Sequence, residues 1–378
     1  MHILRRRSPN ASRVERWLGA EKANQVSSYM EGWYGPPINL RDVPGSLWVG
    51  PDGDFCGSFE RGAFSSAADA LGDHLTTMWE RASRAVREQE AVFGAGFSSI
   101  SDALAKASTG SGQVINISKT GPTGVVGVTS SLWRLGAQPA AGTTPSTAPG
   151  GNAADRTTTG ALAQNNPSTG TLHLVGADMS ASVINNCLLL YDRIFHVAKT
   201  INSTATEAVS GAPSRYTSTT AGAADSAEGN FLFVEVGGTA LAATAHNWTT
   251  CLYTDEAGNT AQTLPSLTGN ASAIVDRLDH PVNSWFAPLA SGDKGIKALT
   301  QMQCSALVAT GAVNFVIGHP IGFMVFPIIN SMLPFDWLTN RNQAPRIFDS
   351  ACLALLEMPK PSTTATVYTG TFQFLNAP

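Results

Sequence analysis

Short apolar runs rich in Val and Thr recur through the chain from residue 113 to residue 374, and they limit the possible folds more than any other feature. Gly, Asn, Ser and Pro separate these runs, and these four residue types favour turns between strands. Many short strands with few helices between them indicate a mainly β protein, and we expect a jelly-roll-like β-sandwich. The predicted strands are 113–118, 124–135, 171–179, 186–195, 231–236, 248–253, 260–264, 296–309, 312–317, 322–328 and 365–374.

The N-terminal part has a different pattern. Apolar residues at steps of three and four, among them Leu71, Leu75 and Met78, predict one long helix over 66–90. The turn signal Pro51-Asp52-Gly53 lies between apolar flanks and predicts a hairpin over 46–56. Shorter helices are predicted at 13–25 and 101–106.

These patterns divide the chain into three parts. A segment rich in Gly and Ser, 107–112, ends an N-terminal arm over 1–110. A first β-rich module is expected over 111–215 and a second β-sandwich module over 216–378. Residues 172–195 weakly resemble residues 298–323, which leaves open whether two sandwiches arose by duplication or whether two strand pairs are alike by chance.

The chain carries few charged residues. Asp, Glu, Lys and Arg make up 14% of it, whereas about a quarter is usual for soluble proteins. Residues 1–106 hold 25 of the 52 charges, so the shortage belongs to the β-rich region. We expect copies of this chain and other proteins to cover much of that region's surface. The net charge of −4 argues against sequence-specific binding of nucleic acid.

The polar residues do not form a recognisable catalytic pattern. The sharpest cluster runs from Asp276 to His280, and we interpret it as a solvated loop before Pro281. The alternative is a glycan-acting enzyme that uses Asp276 or Asp279. Phosphate-binding loops, zinc-protease motifs and nucleophile elbows have no match in the sequence. We therefore predict a protein without enzymatic activity and assign no catalytic, cofactor-binding or metal-binding residue.

Single polar residues elsewhere are expected to have structural roles. His319 lies in an apolar stretch and is predicted to be a hydrogen-bonded core or interface residue. Asp52 and Asp54 fit a turn better than a calcium loop, and Cys56 has no histidine nearby in sequence. The five cysteines are widely spaced, which suits reduced, buried thiols in the cytoplasm.

Membrane insertion and export are not expected. The most apolar stretch, 313–335, contains Pro320, Pro327 and Pro334, so we interpret it as buried strands. The polar run at 8–12 stands where a signal peptide needs an apolar segment.

Four segments resemble uncharacterised virion structural proteins of tailed bacteriophages. They are SSLWRLGA at 130–137, LLLYDRIF at 188–195, GDKGIK at 292–297 and APRIFDSACLALL at 344–356. The resemblance covers about residues 125–378 and consists of packing and turn signatures. It implies a head-associated protein that is made in the host cytoplasm, becomes part of the virion and contacts copies of itself and other virion proteins.

The resemblance leaves several possibilities open. The chain would be a major capsid or a decoration protein, and the alternative within the virion is a tail fibre or receptor-binding β-sandwich module. A long helix after a hairpin also resembles the α+β capsid fold of tailed phages, which is the alternative fold. The four tryptophans of the arm, at positions 17, 33, 48 and 79, would anchor it to its own sandwich or to a neighbouring subunit.

Overall fold

A computed structural model describes residues 97, 100–108, 112–338, 344–359 and 361–377, and the backbone of 47–49 and 55–57. The chain divides into two compact units, Met1–Ala91 and Val92–Pro378. In the first unit, β1 (Leu47–Val49) pairs antiparallel with β2 (Phe55–Gly57), which confirms the predicted hairpin. The helices predicted at 13–25 and 66–90 lie outside the described residues.

The second unit has one described helix followed by antiparallel strands, so the mainly β prediction is confirmed. The helix, α1 (Ile100–Ser108), confirms the one predicted at 101–106. The strands are β3 (Gly112–Thr120), β4 (Ser130–Ser131), β5 (Thr171–Ala181), β6 (Asn186–Thr200), β7 (Glu207–Ala208), β8 (Phe231–Val236), β9 (Asn247–Trp248), β10 (Leu252–Asp255), β11 (Gln262–Thr263), β12 (Leu267–Thr268), β13 (Ile296–Met302), β14 (Ala312–Phe326), β15 (Leu333–Asp336), β16 (Arg346–Ile347), β17 (Leu353–Glu357) and β18 (Val367–Ala377).

Two long strands form the middle of the unit. β6 and β14 have 15 residues each and pair antiparallel from Ala312 opposite Thr200 to Phe326 opposite Asn186. With β4, β17 and β8 they make the central sheet, in the order β4-β17-β6-β14-β8. The predicted boundary between the two β-rich modules lies at residue 216. The central sheet contains strands from both sides of this boundary, so the boundary does not separate the sheets.

A non-strand segment closes the central sheet into a ring. Asp276, Arg277 and Asp279 bond through their backbones to the free edge of β8, with Val236 N donating to Arg277 O at 2.8 Å. The same segment bonds to the other edge of the sheet, where Ser131 N donates to Asp276 O at 2.7 Å. Leu278 therefore packs inside the ring, in the same buried cluster as Phe233 and Val316.

Two further sheets cover the outer face of the central sheet. The sheet β15-β5-β18-β3 packs on one end of β6 and β14, where Leu188, Leu190 and Met324 enter a shared core. The sheet β11-β10-β13-β7 packs on the other end, where Val197 and Phe315 enter a second core. Each long strand thus crosses both cores, which accounts for its length.

Several strand predictions need correction. The runs 312–317 and 322–328 form one strand, β14, because a register shift after Pro320 accommodates the missing N–H. β8 pairs only with residues 313–318, so the ladder on that side of β14 ends before the proline. The run 124–135 is mostly irregular, and 248–253 is split into β9 and β10 where Thr250 takes a positive φ of 51°.

Candidate functional site

The interior of the ring holds a buried polar cluster. Arg193 donates from Nη2 to Glu235 Oε1 at 2.6 Å and from Nη1 to Glu235 Oε2 at 3.2 Å. Its Nε donates to His196 Nδ1 at 2.9 Å, and its guanidinium lies 4.6 Å from the centre of the Trp133 ring. Asn314 Nδ2 donates to Glu235 Oε1 at 2.9 Å. Both carboxylate oxygens of Glu235 and three nitrogens of Arg193 are therefore held by neighbouring groups, whereas Asn314 Oδ1 has no hydrogen-bond partner among the described residues.

Electrostatics keep this cluster in one charge state. Burial alone would raise the pKa of Glu235, but the charge of Arg193 and the hydrogen bonds that Glu235 accepts hold the pKa below its ordinary value. Burial, together with the positive charge of Arg193, lowers the pKa of His196 to about 2, so its imidazole is neutral. At neutral pH the cluster has a fixed ion pair and no group ready to exchange a proton, which suits a structural role.

Asp276 differs from this cluster. It is buried, and its Oδ1 has no hydrogen-bond partner among the described residues. Burial and the charge of Glu235 raise the pKa of Asp276 to about 7, against the opposing charges of Arg134 and Lys119. The expectation that Asp276 lies in a solvated loop is therefore wrong, because the segment 276–279 closes the central sheet.

Asp279 has different neighbours from Asp276. Its Oδ2 accepts hydrogen bonds from Trp248 Nε1 at 2.7 Å and bonds His246 Nε2 at 2.9 Å, while Oδ1 accepts from Asn270 N at 2.6 Å. The charges that act on Asp276 come from other residues, Glu235, Arg134 and Lys119. Asp276 and Asp279, the two candidates for a glycan-acting enzyme, thus lie in different surroundings.

The remaining candidates have ordinary surroundings. His319 Nδ1 bonds Asn230 Oδ1 at 2.8 Å and its ring stacks on Tyr216 with centroids 3.8 Å apart, which confirms the predicted hydrogen-bonded role. Cys187, Cys251, Cys304 and Cys352 are free thiols, and all but Cys187 are buried. Asp52 and Asp54 lie outside the described residues, and of Cys56 only the backbone, in β2, is described.

Six of the exposed large apolar residues lie on segments that meet at one end of the unit. Three segments meet there, since Asn330 N donates to Ala181 O, Asn185 N to Phe326 O and Ser182 N to Val367 O. They expose six large apolar side chains, each with between 40% and 55% of its area open to solvent. We call this set the end surface; its members are Ile184, Val325, Ile328, Ile329, Met332 and Val367.

The segments that form the end surface have no charged side chains. The segments that form it, 181–187, 322–335 and 361–371, contain no Asp, Glu, Lys or Arg. Trp285 continues it, because its ring stacks on that of Phe323 with centroids 6.2 Å apart, and Phe323 is two residues from Val325 on the same face of β14. Contiguous apolar patches of this kind on soluble proteins mark sites of interaction.

Sequence reasoning did not find this surface. Residues 327–332 belong to the stretch interpreted as buried strands, but they form a loop that exposes Ile328, Ile329 and Met332. Pro327 and the polar pair Asn330-Ser331 were the signal for a loop here. The low charge of the β-rich region indicated a covered surface but not its position.

Comparison with known proteins adds no relative. The chain matches no family model, no curated protein and no solved structure. Within the described residues, no three His, Cys, Asp or Glu side chains are grouped to hold a metal ion. The helical part of those same residues includes no segment with the length and hydropathy needed to cross a membrane.

Proposed function

We propose that this chain is a non-enzymatic structural protein of a bacteriophage virion that self-assembles in or on the capsid shell. The observation that carries the proposal is the uncharged end surface, which in a lone monomer exposes six large apolar side chains to water. A shell subunit buries such surfaces against its neighbours. The sequence resemblance over about 125–378 supplies the virion context.

The internal polar groups support the non-enzymatic part of the proposal. Arg193 and Glu235 are fully buried and bonded to each other, and the carboxylate of Asp279 accepts bonds from two neighbouring elements. Groups used in this way stabilise a rigid subunit. With this proposal we keep the jelly-roll-like interpretation of the fold, supported by antiparallel sheets packed face to face over continuous cores.

The test is assembly of the purified full chain. We expect electron microscopy and sedimentation velocity at micromolar concentration to show regular high-order oligomers or shells. Ile328→Asp should reduce assembly because it places a charge in the buried contact. Leu307→Asp is the matched control, since Leu307 is 60% exposed and lies outside the end surface. A wild-type chain that remains monomeric to about 100 μM would overturn the proposal.

The exposed ring of Trp285 allows a test of the receptor-binding alternative. Trp285 is 46% exposed and stacked on Phe323, a geometry that also suits contact with a sugar ring. Binding to a glycan array that Trp285→Ala abolishes, in a chain that does not assemble, would favour the tail-fibre or receptor-binding function over the capsid function.

A further inference from the structure

We propose that the closure of the central ring depends on pH: the segment 276–279 is held in place at acidic pH and opens locally as pH rises through neutrality. We call these four residues the closing segment. A titratable group lies at each end of it, Asp276 at one end and the Asp279–His246 pair at the other. Each loses a proton when the segment is weakened, so the two act together. This inference does not depend on the virion function.

The closing segment is held by few bonds. Three backbone hydrogen bonds join it to β8 and two join it to residues 129–131, with donor–acceptor distances of 2.7–3.1 Å. It lies within residues 269–295, which contain no strand. β6 and β14, by contrast, pair with each other along almost the whole of their 15-residue lengths. Local opening of the closing segment therefore breaks far fewer contacts than separation of the long strands.

His246 needs both ring protons to make both of its hydrogen bonds. Its Nε2 lies 2.9 Å from Asp279 Oδ2, and its Nδ1 lies 2.9 Å from Thr244 O. Thr244 O is a carbonyl oxygen and only accepts, and the Asp279 carboxylate already accepts from Trp248 Nε1 and Asn270 N. A neutral ring has a single N–H, so it keeps one bond and turns a lone pair toward the other oxygen. Loss of the proton therefore weakens the link between Asp279 and the backbone at 244.

The His246 ring cannot turn to avoid this conflict. An added Cβ on Gly269 would lie 2.2 Å from His246 Nε2, so the ring packs directly on the Gly269 backbone. The ring also meets the edge of Trp248, with centroids 6.0 Å apart. The two nitrogens therefore stay directed at their present oxygen partners in either protonation state.

The other titratable groups beside Asp279 keep one charge state near neutral pH. Burial lowers the pKa of His280 to about 4, and burial raises the pKa of Cys304 above 9.0. Lys199, whose charge acts on Cys304, is paired with Glu207. The proton that His246 loses is therefore the one that changes the charge at this end of the closing segment.

Asp276 favours the closed segment while its carboxyl is protonated. Its Oδ1 is buried and has no hydrogen-bond partner among the described residues, so an ionised carboxylate has no donor there. The charge of Glu235 on β8 opposes ionisation, whereas the charges of Lys119 and Arg134 favour it. Both cations donate to oxygen atoms within 135–144, and neither bonds Oδ1.

The two titrations have the same sign. The pKa of Asp276 is raised from 3.8 to about 7, so its stabilisation is fully present below pH 3.8 and is lost as pH rises through 7. The pKa of His246 is raised above 6.5, so its stabilisation is fully present below 6.5 and is lost as pH rises through the folded pKa. Asp276 alone favours opening about tenfold per pH unit between pH 4 and 7.

Hydrogen–deuterium exchange of the full chain, followed by mass spectrometry, measures the opening. Peptides that contain the closing segment are compared with peptides from β6 and β14 between pH 5 and 7.5, after correction for the pH dependence of chemical exchange. Lys119 stays charged in this range, because its pKa is lowered only to about 8. We expect the protection factor of the closing segment to fall at least about fiftyfold, and to stay below that of β6 and β14 at every pH.

Three variants assign the effect to its groups. Asp276→Asn and His246→Gln each remove one titration, so each should reduce the pH dependence, and the double variant should remove most of it. Asp225→Asn, at an exposed position, should behave like wild type. The β6 and β14 peptides report in the same samples whether each variant is folded, and Asp276→Asn alone suffices if His246→Gln does not fold.

Three results would overturn the inference. Equal protection of the closing segment and of β6 and β14 at every pH would mean that the segment opens only when the whole unit unfolds. Protection that does not change with pH would mean that no titrating group holds the segment. A double variant with the pH dependence of wild type would assign the effect to other groups.

Discussion

Arg193 and Glu235 form a two-point ion pair that spans β14 inside the closed ring. The Nη2–Oε1 and Nη1–Oε2 distances are 2.6 and 3.2 Å, and both side chains are at most 1% exposed. Asn314, on the intervening strand, lies opposite Glu235 and bonds the same carboxylate. Three strands of the central sheet are thus joined by one group of polar contacts in the interior of the ring.

Removing one partner of this pair should be costly. Glu235→Gln leaves the Arg193 guanidinium buried without a counter-charge, and we expect the free energy of unfolding to fall by about 3–5 kcal/mol. Replacing both residues, with Arg193→Met and Glu235→Leu, should recover most of that loss because no charge remains buried. Urea unfolding followed by circular dichroism measures both effects. A free energy of unfolding for Glu235→Gln within about 1 kcal/mol of the wild-type value, on the order of the effect of a surface substitution, would contradict this interpretation.

Asp276 should make stability decrease as pH rises. Its pKa in the folded protein is raised to about 7 from an ordinary value of 3.8 by burial and by the charge of Glu235. The stability that the folded protein gains from the protonated Asp276 carboxyl is fully present below pH 4. It is lost as pH rises toward 7. The full shift corresponds to at most about 4 kcal/mol. Asp276→Asn should therefore match wild type at pH 4 and exceed it in stability at pH 8.

A matched control isolates that effect. Asp225 is exposed, so Asp225→Asn should leave the dependence of stability on pH unchanged. Urea midpoints at pH 4, 6 and 8 for the wild type and both variants are sufficient. If the urea midpoints of wild type and Asp276→Asn changed with pH in parallel, the fold would not raise the pKa of the Asp276 carboxyl.

The sequence predicted the elements whose signals are local. The hairpin at β1 and β2 follows from Pro51-Asp52-Gly53, and β8 matches its predicted bounds because five of its six residues are Phe, Leu or Val. The ring closure depends instead on long-range pairing, because the segment 276–279 contacts both Ser131 and Val236. A single sequence carries no signal for which distant edges pair, so Asp276 was expected in solvent.

β17 was missed for a related reason. The predicted strands do not include Leu353–Glu357, although this run pairs with β6 and β4 within the central sheet. A run buried on both faces has no alternation to mark it as a strand. The end surface was missed because burial of isolated apolar residues depends on tertiary packing, which the order of residues around Ile328 does not specify.

Asp279 should control the protonation of His246. Burial lowers the pKa of His246, but the hydrogen bond and negative charge of Asp279 outweigh burial and raise the pKa above 6.5. The stabilisation by the imidazolium is complete below that ordinary value and is lost as pH rises through the folded pKa. Asp279→Asn should lower the pKa of His246, as measured by NMR titration of the ring. His319, whose pKa burial lowers to about 4, is the internal control and should not change. An unchanged His246 titration would contradict the pairing.

Gly370 should be irreplaceable on β18. Its φ is +154°, and an added Cβ would lie 2.0 Å from the backbone oxygen of Asp178 on the neighbouring strand. Because that oxygen belongs to the β5 backbone, the clash is relieved only by moving two paired strands. Gly370→Ala should lower the free energy of unfolding by about 3 kcal/mol or more. Gly136→Ala is the control, since a Cβ there meets nothing within 4 Å, and its stability should stay within about 0.5 kcal/mol of wild type. Equal urea midpoints for the two alanine variants would show that β5 and β18 are not packed as closely as described.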